Sequence, residues 1–207
     1  MNNKAMYKLS YGLFVLTSKD GDRDTGCIVN TAIQAASTPN QLSICVNKAN
    51  FTHDCIKKSG IFNVSVIAQD AVFDLFKHFG FQSGRDVDKF ADYQNASTSD
   101  NGLKYVTGGT NAYISVKVDK EVDLGSHTMF IGEITDMEVL SDVSSVTYEY
   151  YLNNIKPKPE AVGKTQDGQT VWRCKICGYE YVGEELPEDF ICPLCKHPAS
   201  DFEKVVK

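Results

Sequence analysis

Several motifs that would assign the chain to a common functional class are missing from its 207 residues. Neither G-x-G-x-x-G nor G-x-x-x-x-G-K-S/T occurs, which excludes a conventional dinucleotide-binding fold but leaves NAD(P)H open as a transient substrate. The 21 basic and 27 acidic residues leave a net charge of −6 and form no basic stripe. Nucleic acid is therefore not expected as a partner. No internal repeat is visible.

Segments that would direct the chain to a membrane are also missing. The sequence has no signal peptide, no apolar run long enough to span a bilayer and no lipidation motif. Seven cysteines in a chain without such signals indicate a reducing compartment. We therefore expect a cytoplasmic protein with no membrane partner.

Four of the seven cysteines form two C-x-x-C pairs near the end of the chain, with fourteen residues between the pairs. The pairs are Cys174 with Cys177 and Cys192 with Cys195. Two such pairs can close a tetrahedral cage of four thiolates, and soft thiolates select zinc or iron over hard cations. The spacing alone is typical of a structural zinc ribbon. The other three cysteines, Cys27, Cys45 and Cys55, lie in apolar segments and are predicted to be small core residues.

The residues around the two pairs favour iron over zinc. Gly178 permits a tight backbone bend that can direct amide N–H groups at thiolate sulfur, and Pro193 stiffens the second turn. Five aromatic residues can keep water from the metal: Trp172, Tyr179, Tyr181, Phe190 and Phe202. The run C-K-I-C-G-Y-E-Y, followed by C-P-L-C, resembles rubredoxin, which implies one iron ion in four cysteines and one-electron transfer. The segment between the pairs is shorter than in most rubredoxins, as in the short form fused to other redox proteins.

The remaining sequence divides at a linker. Residues 153–169 contain K-P-K-P, Gly163 and D-G-Q and break every periodicity. A module as small as residues 170–207 cannot fold on its own hydrophobic core, so the metal must hold it together. We therefore predict a large domain over residues 1–152, a linker over 153–169 and a metal-binding module over 170–207.

Short apolar runs separated by turn signals predict a mainly β structure, with antiparallel strands closing into a barrel. The predicted strands are Met6–Thr17, Cys27–Ser37, Gln41–Asn47, Ile61–Ile67, Lys104–Val106, Ala112–Val118, Thr128–Val139 and Val146–Tyr151. A hairpin is predicted at the Asp/Gly cluster after Thr17. A short helix is predicted from its N-cap Asn50 to Gly60, with Phe51, Cys55 and Ile56 as its apolar face. A second helix is predicted over Ala71–Phe79, with Val72, Leu75, Phe76 and Phe79 facing the core.

Three groups of polar residues are candidates for binding. Asn50 and Thr52 lie where a helix begins, and free backbone N–H groups there favour a phosphate, to which Lys48 adds a point charge. A plain helix cap beside a solvated lysine is the alternative. Asn30 and Thr31 interrupt an apolar strand and need partners. The charged loop over residues 83–89 could cover a pocket, hold a nucleotide phosphate or simply be solvated.

The upstream sequence resembles the flavin reductase-like family over residues 1–152. The resemblance is carried by G-C-I-V-N-T-A-I-Q-A-A-S-T-P-N-Q-L-S-I-C-V-N-K-A-N-F-T-H-D-C-I, by F-N-V-S-V-I and by S-H-T-M-F-I-G-E-I. It implies a split β-barrel that binds FMN, as a homodimer with the flavin near the subunit interface. It also implies that Asn30 and Thr31 contact the flavin, with backbone contacts from Cys27 to Val29. His127 would border the nicotinamide face of the flavin, although a structural histidine is the alternative.

The fusion of such a barrel to a rubredoxin-like module resembles the high-molecular-weight rubredoxins over the full length. That resemblance implies FMN, one iron ion per chain and a flavodiiron protein as electron acceptor, with NAD(P)H as the expected hydride donor. Two alternatives stay open. One is an FMN-binding electron carrier that is reduced by a separate NADH oxidoreductase. The other is a non-catalytic protein in which an empty barrel carries a zinc ribbon for protein interaction.

Overall fold

A computed structural model describes residues 3–157, 170–175, 179–192 and 198–205. The chain divides into two compact units, residues 1–156 and 157–207, and each is described by itself. Most of the predicted linker, residues 158–169, lies outside the described residues. The boundaries of the two domains and the linker therefore stay a prediction. Among the described residues, no helix has the length and apolar character needed to cross a membrane.

The first unit consists mainly of β-strands. The strands are Phe14–Asp20 (β1), Arg23–Val29 (β2), Ile33–Ser37 (β3), Asn40–Asn47 (β4), Ile61–Ile67 (β5), Ala96–Thr98 (β6), Lys104–Val106 (β7), Thr110–Asp123 (β8) and His127–Val139 (β9). The helices are Phe51–Ser59 (α1), Phe73–Gly80 (α2) and Tyr148–Tyr150 (α3), and α3 continues as a π-helix over Tyr151–Ile155. A 3₁₀ turn over Asn3–Lys8 precedes β1.

One antiparallel sheet organises this unit. Its strand order is β2-β1-β5-β8-β9-β4-β3, and β6 pairs with β7 in a separate ribbon. The predicted hairpin joins β1 to β2, with Asp20 opposite Arg23 and Gly21 at φ 61°. A positive φ is the conformation that glycine adopts without steric cost, which explains the D-G pair there. The mainly β, antiparallel prediction is confirmed.

The core lies on both faces of this sheet. Leu16, Phe62 and Phe130 belong to one buried cluster, whereas Val15 belongs to a second cluster with Phe76 of α2. Because successive residues of a strand point to opposite faces, β1 is buried on both sides. This explains why its sequence is a continuous apolar run rather than an alternating one.

Three of the predicted strands differ in the structure. The predicted strand over Met6–Thr17 begins only at Phe14, because the 3₁₀ turn over Asn3–Lys8 occupies its first residues. The prediction of a strand over Val146–Tyr151 is wrong, because Thr147 accepts a hydrogen bond from the Tyr150 amide at 3.1 Å and caps a helix. Tyr151 then packs on Phe76, with ring centroids 4.4 Å apart. The predicted strand over Cys27–Ser37 is two strands, β2 and β3, that break between Val29 and Ile33.

The two predicted helices are present, with changes at their first residues. Helix α1 ends at Gly60 in the left-handed conformation (φ 72°), as predicted, but the side chain of Asn50 makes no capping hydrogen bond. Its buried residues include Thr52 and His53 besides Cys55 and Ile56, while Phe51 is only half-buried. Helix α2 begins at Phe73, and Val72 precedes it with 68% of its surface exposed, so Val72 does not face the core.

The second unit contains a small antiparallel sheet. Its strands are Val171–Cys174 (β10), Glu180–Val182 (β11) and Phe202–Val205 (β12), in the order β11-β10-β12. Arg173 of β10 donates to Glu180 Oε1 of β11 through Nε at 3.0 Å and Nη2 at 2.6 Å. This paired contact ties the two strands together beside the cysteine that ends β10.

Candidate functional site

The break between β2 and β3 holds two of the predicted site residues, Asn30 and Thr31. The Thr31 hydroxyl donates to the carbonyl of Cys45 at 2.8 Å and accepts from the amide of Cys45 at 3.1 Å. These two hydrogen bonds fix Thr31 to β4. They provide the partners that a polar residue needs within an apolar stretch. Its oxygen keeps one acceptor lone pair for a ligand. Asn30 is half-buried in the same break.

Three other predicted residues meet where α1 begins. The side-chain Nδ2 of Asn50 donates to Cys27 Sγ at 3.8 Å. Burial raises the pKa of the Cys27 thiol, while a hydrogen bond with Thr52 acts in the opposite direction. Cys27 is therefore a buried neutral thiol rather than a nucleophile. Asn50 and Thr52 join the first turn of α1 to the end of β2, beside the strand break.

Lys48 and His127 lie at the adjacent ends of β4 and β9. Lys48 Nζ forms an ion pair with Asp123 Oδ1 at 2.7 Å, and its backbone amide donates to the Ser126 carbonyl at 3.0 Å. His127 lies opposite Asn47 in the sheet, and its Nδ1 is 2.9 Å from Ser126 Oγ. The ion pair with Lys48 lowers the pKa of Asp123. The charge of Lys48 is therefore shared with a carboxylate.

Two guanidinium groups flank the first residue of α1. Arg85 belongs to the charged loop predicted from the sequence, whereas Arg23 was not singled out there. Arg85 Cζ lies 5.0 Å from the centroid of the Phe51 ring, and Arg23 Cζ lies 5.5 Å from it. Arg23 donates to the Gly84 carbonyl at 2.6 Å. These two cations and the backbone amides at the start of α1 form a donor set that fits an anion such as a phosphate.

The charged loop over residues 83–89 is anchored rather than simply solvated. Lys89 is 3% exposed, and its ammonium donates to the carbonyls of Gly26 at 2.7 Å and Phe79 at 2.8 Å. Burial lowers the pKa of Lys89 to about 8. At Gly84 a Cβ atom would lie 2.1 Å from Thr25 Oγ1, so the loop packs on β2 without room for a side chain. Among the described residues, Thr25 Oγ1 has no hydrogen-bond partner.

A buried histidine of α1, also missed from the sequence, connects this loop to β9. His53 Nδ1 lies 3.0 Å from Asp54 Oδ1, and His53 Nε2 lies 2.9 Å from Thr128 Oγ1. Asp54 in turn accepts from Arg85 at 2.6 Å. Hydrogen bonds from His53 and then Arg85 lower the pKa of Asp54. The available signal was a histidine on the side of α1 that also carries Ile56, three positions later.

The second unit holds the candidate metal ligands. Cys174 and Cys192 are buried in one cluster with Phe202, and four partly buried residues pack against it: Trp172, Tyr179, Leu186 and Phe190. The Cys174 amide donates to the Tyr179 carbonyl at 2.8 Å, which joins the last residue of β10 to the residue before β11. Two buried sulfurs within an aromatic cluster fit a soft metal ion.

The structure describes two of the four predicted metal ligands. Cys177 and Cys195 lie outside the described residues, so the four-cysteine site stays a prediction. Within the described ranges, no three histidine, cysteine or acidic side chains come together in a group that could hold a metal ion.

Comparison with known proteins assigns a family to each unit. Residues 6–157 match the flavin reductase like domain, and residues 172–203 match the rubredoxin-like domain of rubrerythrin.

Similar proteins cover the whole chain or the first unit. A high molecular weight rubredoxin of Moorella thermoacetica is 36% identical and covers 99% of this chain and 100% of its own length. A ferric-chelate reductase (NAD(P)H) of Archaeoglobus fulgidus is 42% identical over 73% of this chain and 90% of its own. The structure of an NADH:FAD oxidoreductase from Streptomyces globisporus, at 20% identity, covers 70% of this chain and 84% of its own with a TM-score of 0.62.

The match to the Streptomyces structure shows the fold alone, because its sequence identity is low. The matches to the Moorella and Archaeoglobus proteins also show relatedness in sequence. A flavin reductase-like domain and a rubredoxin-like domain are joined in one chain, and the Moorella protein is similar across both. The chain is therefore an oxidoreductase that belongs to the flavin reductase-like family and, through its C-terminal rubredoxin-like domain, to the high-molecular-weight rubredoxins.

Proposed function

We propose that the chain takes electrons from NAD(P)H and delivers them singly to a redox protein such as a flavodiiron protein, using FMN in the first unit and one iron ion in the second. The observation that carries this proposal is the fusion itself. The cofactors of the two fused families differ in the number of electrons that they exchange. A flavin exchanges electrons in pairs or singly, whereas one iron ion exchanges one at a time. A chain with both can convert a two-electron input into one-electron output.

The first turn of α1 is the proposed phosphate site. Arg23 and Arg85 stand beside Phe51, and the amides of the first turn add the positive end of the helix dipole. Lys48 lies three residues before the helix and can turn from Asp123 toward a phosphate, because that ion pair is exposed. One compact anion site suits the single terminal phosphate of FMN.

The strand break is the proposed site of the flavin ring and ribityl chain. Asn30 and Thr31 offer polar side chains there, and Cys27 offers backbone groups in the preceding strand. Because Thr31 is held on β4, its remaining lone pair has a fixed direction. Asn50 and Thr52 join this region to the phosphate site through Cys27.

His127 is the proposed contact for the nicotinamide. It begins β9 opposite Asn47, the last residue of β4, which Lys48 follows directly, and its side chain is half-buried. Its Nδ1 contacts Ser126, which leaves Nε2 for a substrate. The role of His127 would be to orient the nicotinamide, since hydride transfer itself needs no proton from this residue.

The iron ligands are proposed to be Cys174, Cys177, Cys192 and Cys195. The buried positions of Cys174 and Cys192 among aromatic side chains support a site from which water is kept away. The protein's contribution is to hold the thiolates and to tune the potential through packing and hydrogen bonds.

A homodimer is proposed for the first unit. Large apolar side chains are exposed there, namely Ile33 at 66%, Met137 at 57% and Val139 at 72%. Ile33 begins β3, which forms an edge of the sheet. An exposed apolar edge strand favours association with another chain.

Anaerobic addition of NADH to the purified protein tests this function. We expect one iron and one FMN per chain, with rapid loss of both the flavin and the ferric absorbance on addition of NADH alone. Bleaching that requires a separate NADH oxidoreductase would instead indicate the carrier. A colourless protein with stoichiometric zinc would contradict the proposal.

A further inference from the structure

We propose that His53 is a positioning residue that couples the two ends of the candidate site, so that flavin and nicotinamide binding influence each other through its imidazole ring. The proposal rests on the proposed function. It adds a residue and a linkage that neither the sequence motifs nor the family comparison assigns.

The coupling is a continuous chain of polar contacts across three elements. Arg85 Nη2 in the loop after α2 lies 2.6 Å from Asp54 Oδ2. Asp54 Oδ1 lies 3.0 Å from His53 Nδ1 within α1. His53 Nε2 lies 2.9 Å from the hydroxyl of Thr128 in β9. One end of this series of contacts lies at the proposed phosphate site, and the other end, at Thr128, is next to His127.

The direction of each hydrogen bond follows from the chemistry of the groups. An ionised Asp54 can only accept, so His53 Nδ1 is the donor in that contact. With the ring in this tautomer, Nε2 accepts from the hydroxyl of Thr128. The ring orientation and tautomer are therefore set from both sides, as in other sites where a carboxylate orients a histidine.

Little freedom remains for the imidazole or for Thr128. His53 is 5% exposed, and its ring centroid lies 5.6 Å from that of Phe130. Thr128 is 4% exposed and lies opposite Val46 of β4 and Asp123 of β8. Holding Thr128 therefore fixes the start of β9, which includes His127 and faces the carboxylate that pairs with Lys48.

A purely structural role would not need this chemistry. An apolar ring could fill the space beside Phe130 without two polar partners, and a buried polar group costs free energy unless both of its nitrogens are satisfied. The series of contacts instead continues to Arg85, whose side chain is 51% exposed and can therefore reach a ligand. A phosphate that draws the guanidinium toward itself acts directly on the contact with Asp54.

Two substitutions of His53 can separate its two contacts. In His53→Asn the amide can replace Nδ1 and keep Asp54, whereas in His53→Gln it can replace Nε2 and keep Thr128. We expect His53→Gln to weaken FMN binding about tenfold and to leave the KM for NADH within about twofold. We expect the opposite pattern for His53→Asn. Equal changes of both quantities in both variants would overturn the proposal.

A double-mutant cycle measures the coupling itself and is read from FMN dissociation constants by fluorescence. In a chain that retains His53, the FMN dissociation constant of the Arg85→Gln/Thr128→Val double variant should differ about fivefold from the value expected if the two single effects simply combined. In a His53→Phe background the two effects should be additive. Thr110→Val is the matched control, because Thr110 is a buried threonine whose hydroxyl donates to the Val106 carbonyl at 2.6 Å. It should be additive with Arg85→Gln in both backgrounds.

The outcomes distinguish this proposal from the function on which it rests. An intact chain that binds FMN and accepts electrons from NADH, but shows additive effects in every background, would overturn the role of His53 alone. An intact chain that binds no FMN would overturn the proposed function, and the coupling with it. Thermal unfolding of each variant shows whether the chain is folded at the assay temperature.

Discussion

At the scale of single residues, Lys48 is shared between a carboxylate and a proposed phosphate. Its ion pair with Asp123 is exposed on both sides, with side-chain exposures of 38% and 72%. Such pairs contribute little to stability, so the lysine can exchange one partner for another. The two residues of the pair should therefore have opposite effects on flavin binding.

Substitution of each partner tests this exchange. Lys48→Ala should weaken FMN binding by a few-fold, whereas Asp123→Asn should strengthen it because the lysine loses its competing carboxylate. Flavin fluorescence titration gives both dissociation constants, and iron content should stay unchanged in both variants. Identical FMN affinity in the two variants and the wild type would show that Lys48 is outside the site.

The buried ammonium of Lys89 should make stability depend on pH. Its pKa is lowered to about 8 from an ordinary value of 10.5, so the unfolded chain binds more protons than the folded chain between these values. The cost of burying the charge is complete below pH 8 and decreases as the pH rises toward 10.5. From pH 7 to 9.5, the wild type should gain about 2 kcal/mol relative to Lys89→Met.

Urea unfolding of both proteins at the two pH values measures this difference. Direct comparison with Lys89→Met removes the contribution of groups that do not interact with Lys89. Making the comparison in a Cys27→Ser background also removes the contribution of Cys27, whose pKa is raised by burial and lowered in part by Lys89. A stability difference that does not change with pH would mean that the ammonium is not desolvated in the folded state.

Whether a site residue could be predicted from the sequence depends on how far apart along the sequence it and its contact partners lie. Asn50 and Thr52 could be identified because a helix start is a local signal. Arg23 and His53 were not singled out, because each acquires its role only when β2, α1 and the loop before β6 come together. Lys89 was predicted only as part of a charged loop, because its buried contacts with Gly26 and Phe79 are not visible in the sequence. Arg23 and Gly84, for example, are in contact although a long stretch of chain separates them.

At the scale of elements, the loop over residues 83–89 holds the candidate phosphate site against β2. A Cβ atom at position 84 would lie 2.1 Å from Thr25 Oγ1 and 3.0 Å from Phe51 Cδ1. Gly84→Ala should therefore reduce the free energy of unfolding by about 1–3 kcal/mol. The loss should be smaller in a Thr25→Ala background, where the nearest atom is absent. Equal losses in both backgrounds would contradict this packing.

Turns and caps explain which elements the sequence could predict. The D-G hairpin, the glycine after α1 and the apolar runs of β4 and β5 are local signals that the structure confirms. The run over Val146–Tyr151 is rich in β-forming residues, yet the Thr147 cap and the packing of Tyr151 on Phe76 make it helical. Tertiary contacts decided this segment, and propensity could not.

At the scale of the whole molecule, the first unit should associate into a dimer. The exposed side chains of Ile33, Met137 and Val139 would be covered in such an assembly. Sedimentation of the full-length protein should give twice the mass of one chain. Ile33→Lys should shift the population toward monomer, because a charge would be buried at the edge strand. A monomer that retains FMN at low micromolar concentration would contradict the homodimer.

The central claim is that electrons leave through the second unit. Anaerobic stopped-flow mixing with NADH and a rubredoxin-dependent acceptor tests it directly, by following flavin and acceptor reduction separately in the intact chain and in Cys174→Ser/Cys192→Ser. The double variant removes two thiolates and should lose its metal and the fold of its module. Cys45→Ser, which changes a cysteine of the first unit, is the matched control and should behave like the intact chain.

We predict that NADH reduces the flavin at the same rate in all three proteins, and that delivery to the acceptor falls to background only in the double variant. Acceptor reduction by the double variant at the rate of the intact chain would contradict the account, because the flavin would then be the site from which electrons leave.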